Sequence, residues 1–285
     1  MRYDGSMKPW TDRQGRFSAL RTLAYVIAIT PALVIAYWFF TGALQPLSVK
    51  NALHLVGDWA VRFLVFTLAL TPLMRLFNYT KLALIRRISG VTAFAYAITH
   101  FILYIVMSKF DLNFVASEII HRFYLTIGFV VLIGLCLLAG TSFDSAIRKL
   151  GGNWKRLHQI AYGLAVLGLF HYFLQSKIDV SAATLMAGLF LLAMTVRVML
   201  RQRMTLSPLT MMGAAVVGCV LTALVEYAWY GLATGVNPNR VLLANFMVSA
   251  GLRPAVKVLL AGIGFSVAAY LRQMQTAAKP RLRSS

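Results

Sequence analysis

A succession of long apolar runs, too poor in charge to face water, confines this chain to a lipid bilayer. The first extends from Thr22 to about Phe40. Others follow at about 52–74, 88–108, 123–140, 156–174, 180–200, 209–231 and 241–271. A helix rises about 1.5 Å per residue, so about 20 apolar residues cross the hydrocarbon core. Only 13% of the 285 residues are charged, where a soluble domain carries about 25%. These runs predict an all-α, polytopic transmembrane helix bundle of eight spans. The last run is interrupted by Arg253, Pro254 and Lys257, which predicts that its N-terminal part is a separate interfacial turn.

The polar segment at 1–21 precedes the first run, whose apolar stretch is too long for a signal peptide. It is followed by Gln45 and Pro46 rather than by a small-residue cleavage site, so it reads as a retained span. Cys136 and Cys219 lie inside apolar runs, without a CxxC spacing, and read as packing residues.

Lys and Arg number 28 against 8 Asp and Glu. Placing the N-terminus in the cytoplasm puts 20 of the 28 basic residues on that side: five before the first span, Arg272, Lys279, Arg281 and Arg283 in the tail, and the rest in loops. The opposite side has seven, and Arg62 lies within a span. This asymmetry predicts both termini in the cytoplasm. Charges spread among short loops on one membrane face also argue against a nucleic-acid partner. No internal repeat or low-complexity tract is evident.

Polar residues at membrane depth are costly and mark function by default. His158 and His171 share the fifth span, thirteen residues apart, which places them about 20 Å apart along the axis. His100 lies in the outer half of the third span, which runs in the same direction. His100 and His171 can therefore meet at one depth and hold an iron between two imidazoles. Arg86, fourteen residues before His100, returns to within about 40° of the same helix face. The pattern predicts one haem between His100 and His171. A second would be held by His158, with Arg86 on a propionate or close to the iron, and Phe94, Tyr96, Phe101, Tyr162, Gly163 and Gly168 would pack these groups. The plainer alternatives are helix–helix hydrogen bonding for the histidines and the positive-inside rule for Arg86, which is paired with Arg87. His54 reads as an interfacial histidine and His121 as a solvated one. Glu226, among Tyr227, Trp229 and Tyr230, is expected to snorkel to the aromatic belt.

The stretches LHLVGDWAVRFLVFTLALTPLMR, RRISGVTAFAYAITHFILY, RFYLTIGF, LGGNWKRLHQIAY and HYF resemble the haem-binding membrane subunits of the methionine sulfoxide reductase system, the MsrQ (formerly YedZ) family. That family belongs to the ferric-reductase-like transmembrane group. The resemblance covers about residues 15–203 and implies a six-helix haem-binding core at 22–203. A cytoplasmic segment at 1–21 would precede it, and an extension at 204–285 with two further spans would follow. In the wider group two helices each carry two histidines. Here the fifth span keeps both, while the third keeps His100 and has Arg86 at the inner position, as this family does.

The resemblance further implies haem b, one or two per chain, with His100, His158 and His171 as ligands, and an associated flavin mononucleotide (FMN). It implies an electron-transfer subunit of an oxidoreductase complex in the bacterial inner membrane. Electrons would come from a cytoplasmic flavin reductase or from quinol, and would pass to a periplasmic molybdopterin-containing subunit that reduces methionine sulfoxide in envelope proteins. Arg86, Arg87, Lys155 and Arg156 form the inner basic patch for a flavin phosphate or haem propionates. Two positions depart from the family: Phe123 stands where proline usually follows arginine, and Asp58 where a basic residue is frequent. No dinucleotide motif or soluble flavin domain is present. The rival readings are a related haem reductase with a metal ion or quinone as acceptor, and a transporter or scaffold without haem.

Overall fold

The computed structural model describes residues 16–177, 179–245, 247 and 251–278. Arg2, Lys8, Arg13, Lys279, Arg281 and Arg283, with most of the segment at 1–21, lie outside the described residues. Twelve helices are present among those described: α1 (Ala19–Phe40), α2 (Ser48–Phe77), α3 (Leu82–Met107), α4 (Leu112–His121), α5 (Phe123–Gly140), α6 (Asp144–Leu150), α7 (Gly152–His158), α8 (Ile160–Ser176), α9 (Ser181–Arg201), α10 (Pro208–Ala233), α11 (Pro238–Ala244) and α12 (Pro254–Ala278). Taking α7 and α8 together as one span, eight stretches are long and apolar enough to cross a membrane. The protein is an all-α, multi-pass membrane protein.

Two elements differ in detail from the sequence reading. The segment between the third and fourth spans contains a helix, α4, begun by Asp111, whose carboxylate accepts from the Phe114 N–H. The fifth span is interrupted at Gln159, where the Gln159 N–H turns back to the carbonyl of Arg156 at 3.2 Å. The eighth span does begin at Pro254, with α11 as a separate short helix before it, as the Arg-Pro interruption predicted.

The chain forms two compact units, one running through Thr67 and from Lys81 to His171, the other made of Leu68–Thr80 and the chain from Tyr172 onward. The boundaries drawn at 21/22 and 203/204 follow family resemblance, whereas these units follow packing, and α9 packs with α10 and α12.

In the first unit α1 packs on α3, and α3 on α5. Pro31 lies inside α1, and next to it the Tyr96 hydroxyl is inserted into the helix ladder. It accepts from the Ala32 N–H and donates to the Ala28 carbonyl, both at 2.9 Å. Two backbone groups that would otherwise pair with each other thus use a side chain as a bridge. Tyr96 is therefore a clasp between α1 and α3, a role its expected place beside a haem did not include. Buried Ser89 on α3 joins α2 through the Thr67 hydroxyl at 2.8 Å.

In the second unit α9, α10 and α12 meet through small residues. Gly188 faces Thr222 and Val258, and Gly262 faces Ala215 so closely that a Cβ at either glycine would collide. Pro72 in α2 has no N–H for the Leu68 carbonyl, and Arg197 of α9 donates to that oxygen at 2.7 Å. Arg272 donates to the carbonyls of Arg75 and Leu76 at the end of α2, at 3.0 and 2.7 Å. Ahead of α9, hydrogen bonds from the Ser181 hydroxyl and N–H hold the Asp179 carboxyl below its ordinary range, with Arg253 a smaller influence.

Glu226 does not snorkel. It is 1% exposed, and its Oε1 accepts from Arg253 at 2.6 Å. Tyr227, Trp229 and Tyr230 suggested an interface position, but burying the carboxylate against a guanidinium is the alternative open to a charge at this depth. Replacing Glu226 by Ala should strand the Arg253 charge. The expected loss is about 3–5 kcal/mol of stability, measured by denaturant titration of the purified protein in detergent and compared with Glu226→Gln.

Candidate functional site

α3 carries Arg86 near its start and His100 further on, fourteen residues away, about 21 Å along the axis. The fifth span carries His158 at the end of α7 and His171 in α8. The His100 and His171 rings are neighbours, while Arg86 is near enough to His158 to interact electrostatically. Proximity at both levels requires that α3 and α7–α8 run parallel, as the sequence predicted.

The two facing histidines are held in the same way. His100 Nδ1 is 2.9 Å from the Leu53 carbonyl of α2, and His171 Nδ1 is 2.7 Å from the Tyr124 carbonyl of α5. Each ring also lies over a glycine four residues beyond the carbonyl it uses. A Cβ on Gly57 would be 2.8 Å from His100 Nδ1, and one on Gly128 would be 2.7 Å from His171 Cε1. A helical carbonyl points toward residue i+4, so only a missing side chain there opens it to a ring from the side. The combination of carbonyl at i and glycine at i+4 occurs at both positions.

A ring nitrogen that donates to a backbone carbonyl fixes the tautomer and leaves Nε2 as the ligating atom, the usual arrangement for a metal-bound histidine. The ring centroids are 6.5 Å apart, with planes at 86°. Two imidazoles on one metal, with bonds of about 2.0–2.1 Å and ring centres ~1.2 Å behind each nitrogen, place their centroids ~6.4 Å apart. The pair therefore fits an iron whose remaining ligands come from a porphyrin. Among the described residues no group of three or more His, Cys, Asp or Glu side chains is placed to hold a metal ion without such help.

The other end is arranged differently. His158 Nε2 is 3.2 Å from the Thr141 hydroxyl, and its ring stacks on Trp154 with centroids 4.1 Å apart. Trp154 in turn donates to the Thr141 carbonyl at 2.9 Å. His158 is thus engaged through the nitrogen that His100 and His171 leave available. Of the basic patch, Arg86, Lys155 and Arg156 are exposed, and Arg87 is ion-paired with Asp144 at 2.6 Å. His54 and His121 are exposed, and His121 Nδ1 is 2.8 Å from the Ser117 carbonyl.

Sequence reasoning singled out His100 and His171 but not the two glycines beneath them. It named Gly163 and Gly168 instead. A Cβ would meet nothing at Gly163, and only Val131 and Leu64 at ordinary distance at Gly168. The available signal was a glycine inside each of two apolar motifs, LVGDW and LTIGF.

The family model described as "Ferric reductase like transmembrane component" matches residues 56–169, the stretch containing Gly57, His100, Gly128 and His158. A protein-methionine-sulfoxide reductase heme-binding subunit, MsrQ, of Agrobacterium fabrum is 40% identical over 154 residues, covering 54% of this chain and 71% of that protein. The proteins of the same description from Rhizobium meliloti (38% over 155 residues, covering 54% and 71%) and Brucella ovis (39% over 173 residues, covering 60% and 77%) are similarly close. This chain belongs to the MsrQ family. No solved structure matches it.

The glycine cradles make a direct test. Gly57→Ala and Gly128→Ala should each push one imidazole off its carbonyl and lower the haem retained per purified chain severalfold. Gly213→Ala, where a Cβ meets nothing, should leave it unchanged.

Proposed function

We propose that this chain is a b-type cytochrome of the bacterial inner membrane, the electron-transfer subunit of a methionine sulfoxide repair system. It carries electrons from the cytoplasmic side, given by a flavin reductase or by quinol, to a periplasmic molybdopterin-containing subunit that reduces methionine sulfoxide. The single observation that carries the reading is the His100–His171 pair: two Nδ1-anchored imidazoles, 6.5 Å apart, at one depth of a membrane bundle. Haem b, when bound there, supplies reversible one-electron chemistry.

The chain's own residues supply the rest. His100 and His171 ligate through Nε2, and the Leu53 and Tyr124 carbonyls hold each ring in the ligating tautomer and orientation. The surrounding helices keep water away, so the potential is set by ligand type and by nearby charge. Arg86, Lys155 and Arg156 form the basic patch for propionates or for an FMN phosphate, and Arg87 holds α3 to α6 through Asp144. Residues 1–21 and the C-terminus lie in the cytoplasm, which the excess of Lys and Arg on that side supports. Residues 22–203 form the haem-binding domain, and 204–285 an extension with two spans.

A reduced-minus-oxidised visible spectrum of the detergent-purified protein, with haem counted per chain, tests this. His100→Ala and His171→Ala should each abolish the signal of the site they share. A signal that survives both and disappears in His158→Ala assigns a second haem to His158, and Arg86→Ala should weaken that second signal selectively. A featureless spectrum from folded, haem-supplied protein would sink the cytochrome reading. Transfer of electrons from the reduced protein to an added molybdopterin reductase tests the acceptor.

A further inference from the structure

His100 and His171 are held alike, but their two anchors stand differently in their helices. Leu53, whose carbonyl faces His100 Nδ1, is the sixth residue of α2, more than one turn inside it. Tyr124, whose carbonyl faces His171 Nδ1, is only the second residue of α5. The first turn of a helix lacks backbone partners for its N–H groups and depends on a cap to stay in place. The residue before α5 is Arg122, and no side chain caps that turn. Phe123 takes the first helical position, where a proline would have fixed the backbone. The anchor of His171 therefore needs support from elsewhere.

That support comes from α4. Arg122 both ends α4 and begins α5, in an extended conformation (φ −107°, ψ 103°), so the chain turns a corner at one residue. Its N–H donates to the Glu118 carbonyl of α4 at 2.9 Å, and its carbonyl accepts from the Leu125 and Thr126 N–H groups at 2.8 and 3.1 Å. Its side chain spans the corner. Nε is ion-paired with the Glu118 carboxylate on α4, and a terminal N–H donates to the Tyr124 hydroxyl on α5 at 3.1 Å. The Thr126 hydroxyl adds a second tie, donating to the Ile119 carbonyl of α4. The Arg122 side chain is 50% exposed and that of Glu118 18%. Such exposed pairs contribute little to overall stability, so the effect of this one is local.

We propose that Arg122 is a positioning residue for the iron site. By bridging Glu118 of α4 to Tyr124 of α5 it fixes the first turn of α5, and with it the carbonyl that holds the His171 ring. This rests on the haem reading above. Arg122 acts only through Tyr124. Without the bridge the corner between α4 and α5 can open and the Tyr124 carbonyl moves from Nδ1. The His171 ring then regains rotation, the 86° angle between the two imidazole planes is no longer kept, and Nε2 is a weaker ligand.

Two spectroscopic readouts on the purified full chain test this. Electron paramagnetic resonance of the oxidised protein reports the angle between the two axial imidazoles. Carbon monoxide binding to the reduced protein reports how readily one of them leaves. Arg122→Gln should change the His171-dependent resonance and speed carbon monoxide binding severalfold, and Tyr124→Phe and Glu118→Gln should each give part of the same change. Arg240→Gln, which removes an exposed charge elsewhere, should give neither, and an equal change there overturns the proposal. A change shared equally by a His158-dependent signal is general loosening and also overturns it. Arg122→Gln protein with full haem content, wild-type resonance and wild-type carbon monoxide binding overturns it outright. If Arg122→Gln fails to fold or to retain haem, Tyr124→Phe decides, and unchanged readouts there overturn the proposal equally. Wild-type protein with no His171-dependent signal overturns instead the cytochrome reading, and this inference with it.

Discussion

Two hydrogen bonds, from a histidine Nδ1 to a helical carbonyl, are what the rest of the site depends on. They cross between helices, from α3 to α2 at Leu53 and from α8 to α5 at Tyr124. Each does two things at once. It fixes a ring that would otherwise rotate freely, and it selects which nitrogen is left for a metal. In a bundle without a hydrophobic drive to hold its helices together, a polar contact of this kind also sets the register of the helices it joins. The glycine at i+4 below each carbonyl is what makes the contact sterically possible.

The same economy governs the other polar groups within the spans. Pro72 leaves the Leu68 carbonyl without its helical donor, and Arg197 supplies one from α9. The Tyr96 hydroxyl bridges two ladder groups of α1 beside Pro31. Glu226 is paired with Arg253. Each case matches a group that the bilayer cannot hydrate with a side chain from a remote part of the chain, so the polar residues of the spans act as fixed points of assembly. Arg62 differs: among the described residues its ion-pair and ring partners, Asp58 and Trp59, lie on its own helix.

Much of this is legible in the residue pattern alone. Run length gives the all-α membrane class and the eight spans, because hydrocarbon thickness translates directly into residue count. Thirteen- and fourteen-residue spacings give the axial depths of His100, His171, Arg86 and His158, because the rise of a helix is constant. Less legible are the interruption at Gln159, which a uniformly apolar run does not announce, and α4, which lies in a segment too short and mixed to read as a helix. Glu226 is misjudged from pattern because its aromatic neighbours suggest an interface, and Arg253 is remote in sequence.

By itself, then, the sequence determined that the chain spans a membrane, how many times, and at what depth its histidines stand. These are one-dimensional quantities, fixed by hydropathy and helix rise. Only the tertiary structure decided how each helix is turned about its axis. That rotation brings the His100 and His171 rings within 6.5 Å of each other, over Gly57 and Gly128, leaves His158 bonded to Thr141, and commits Arg87 to Asp144. Rotation is set by side-chain packing between helices distant in sequence, which no local pattern records.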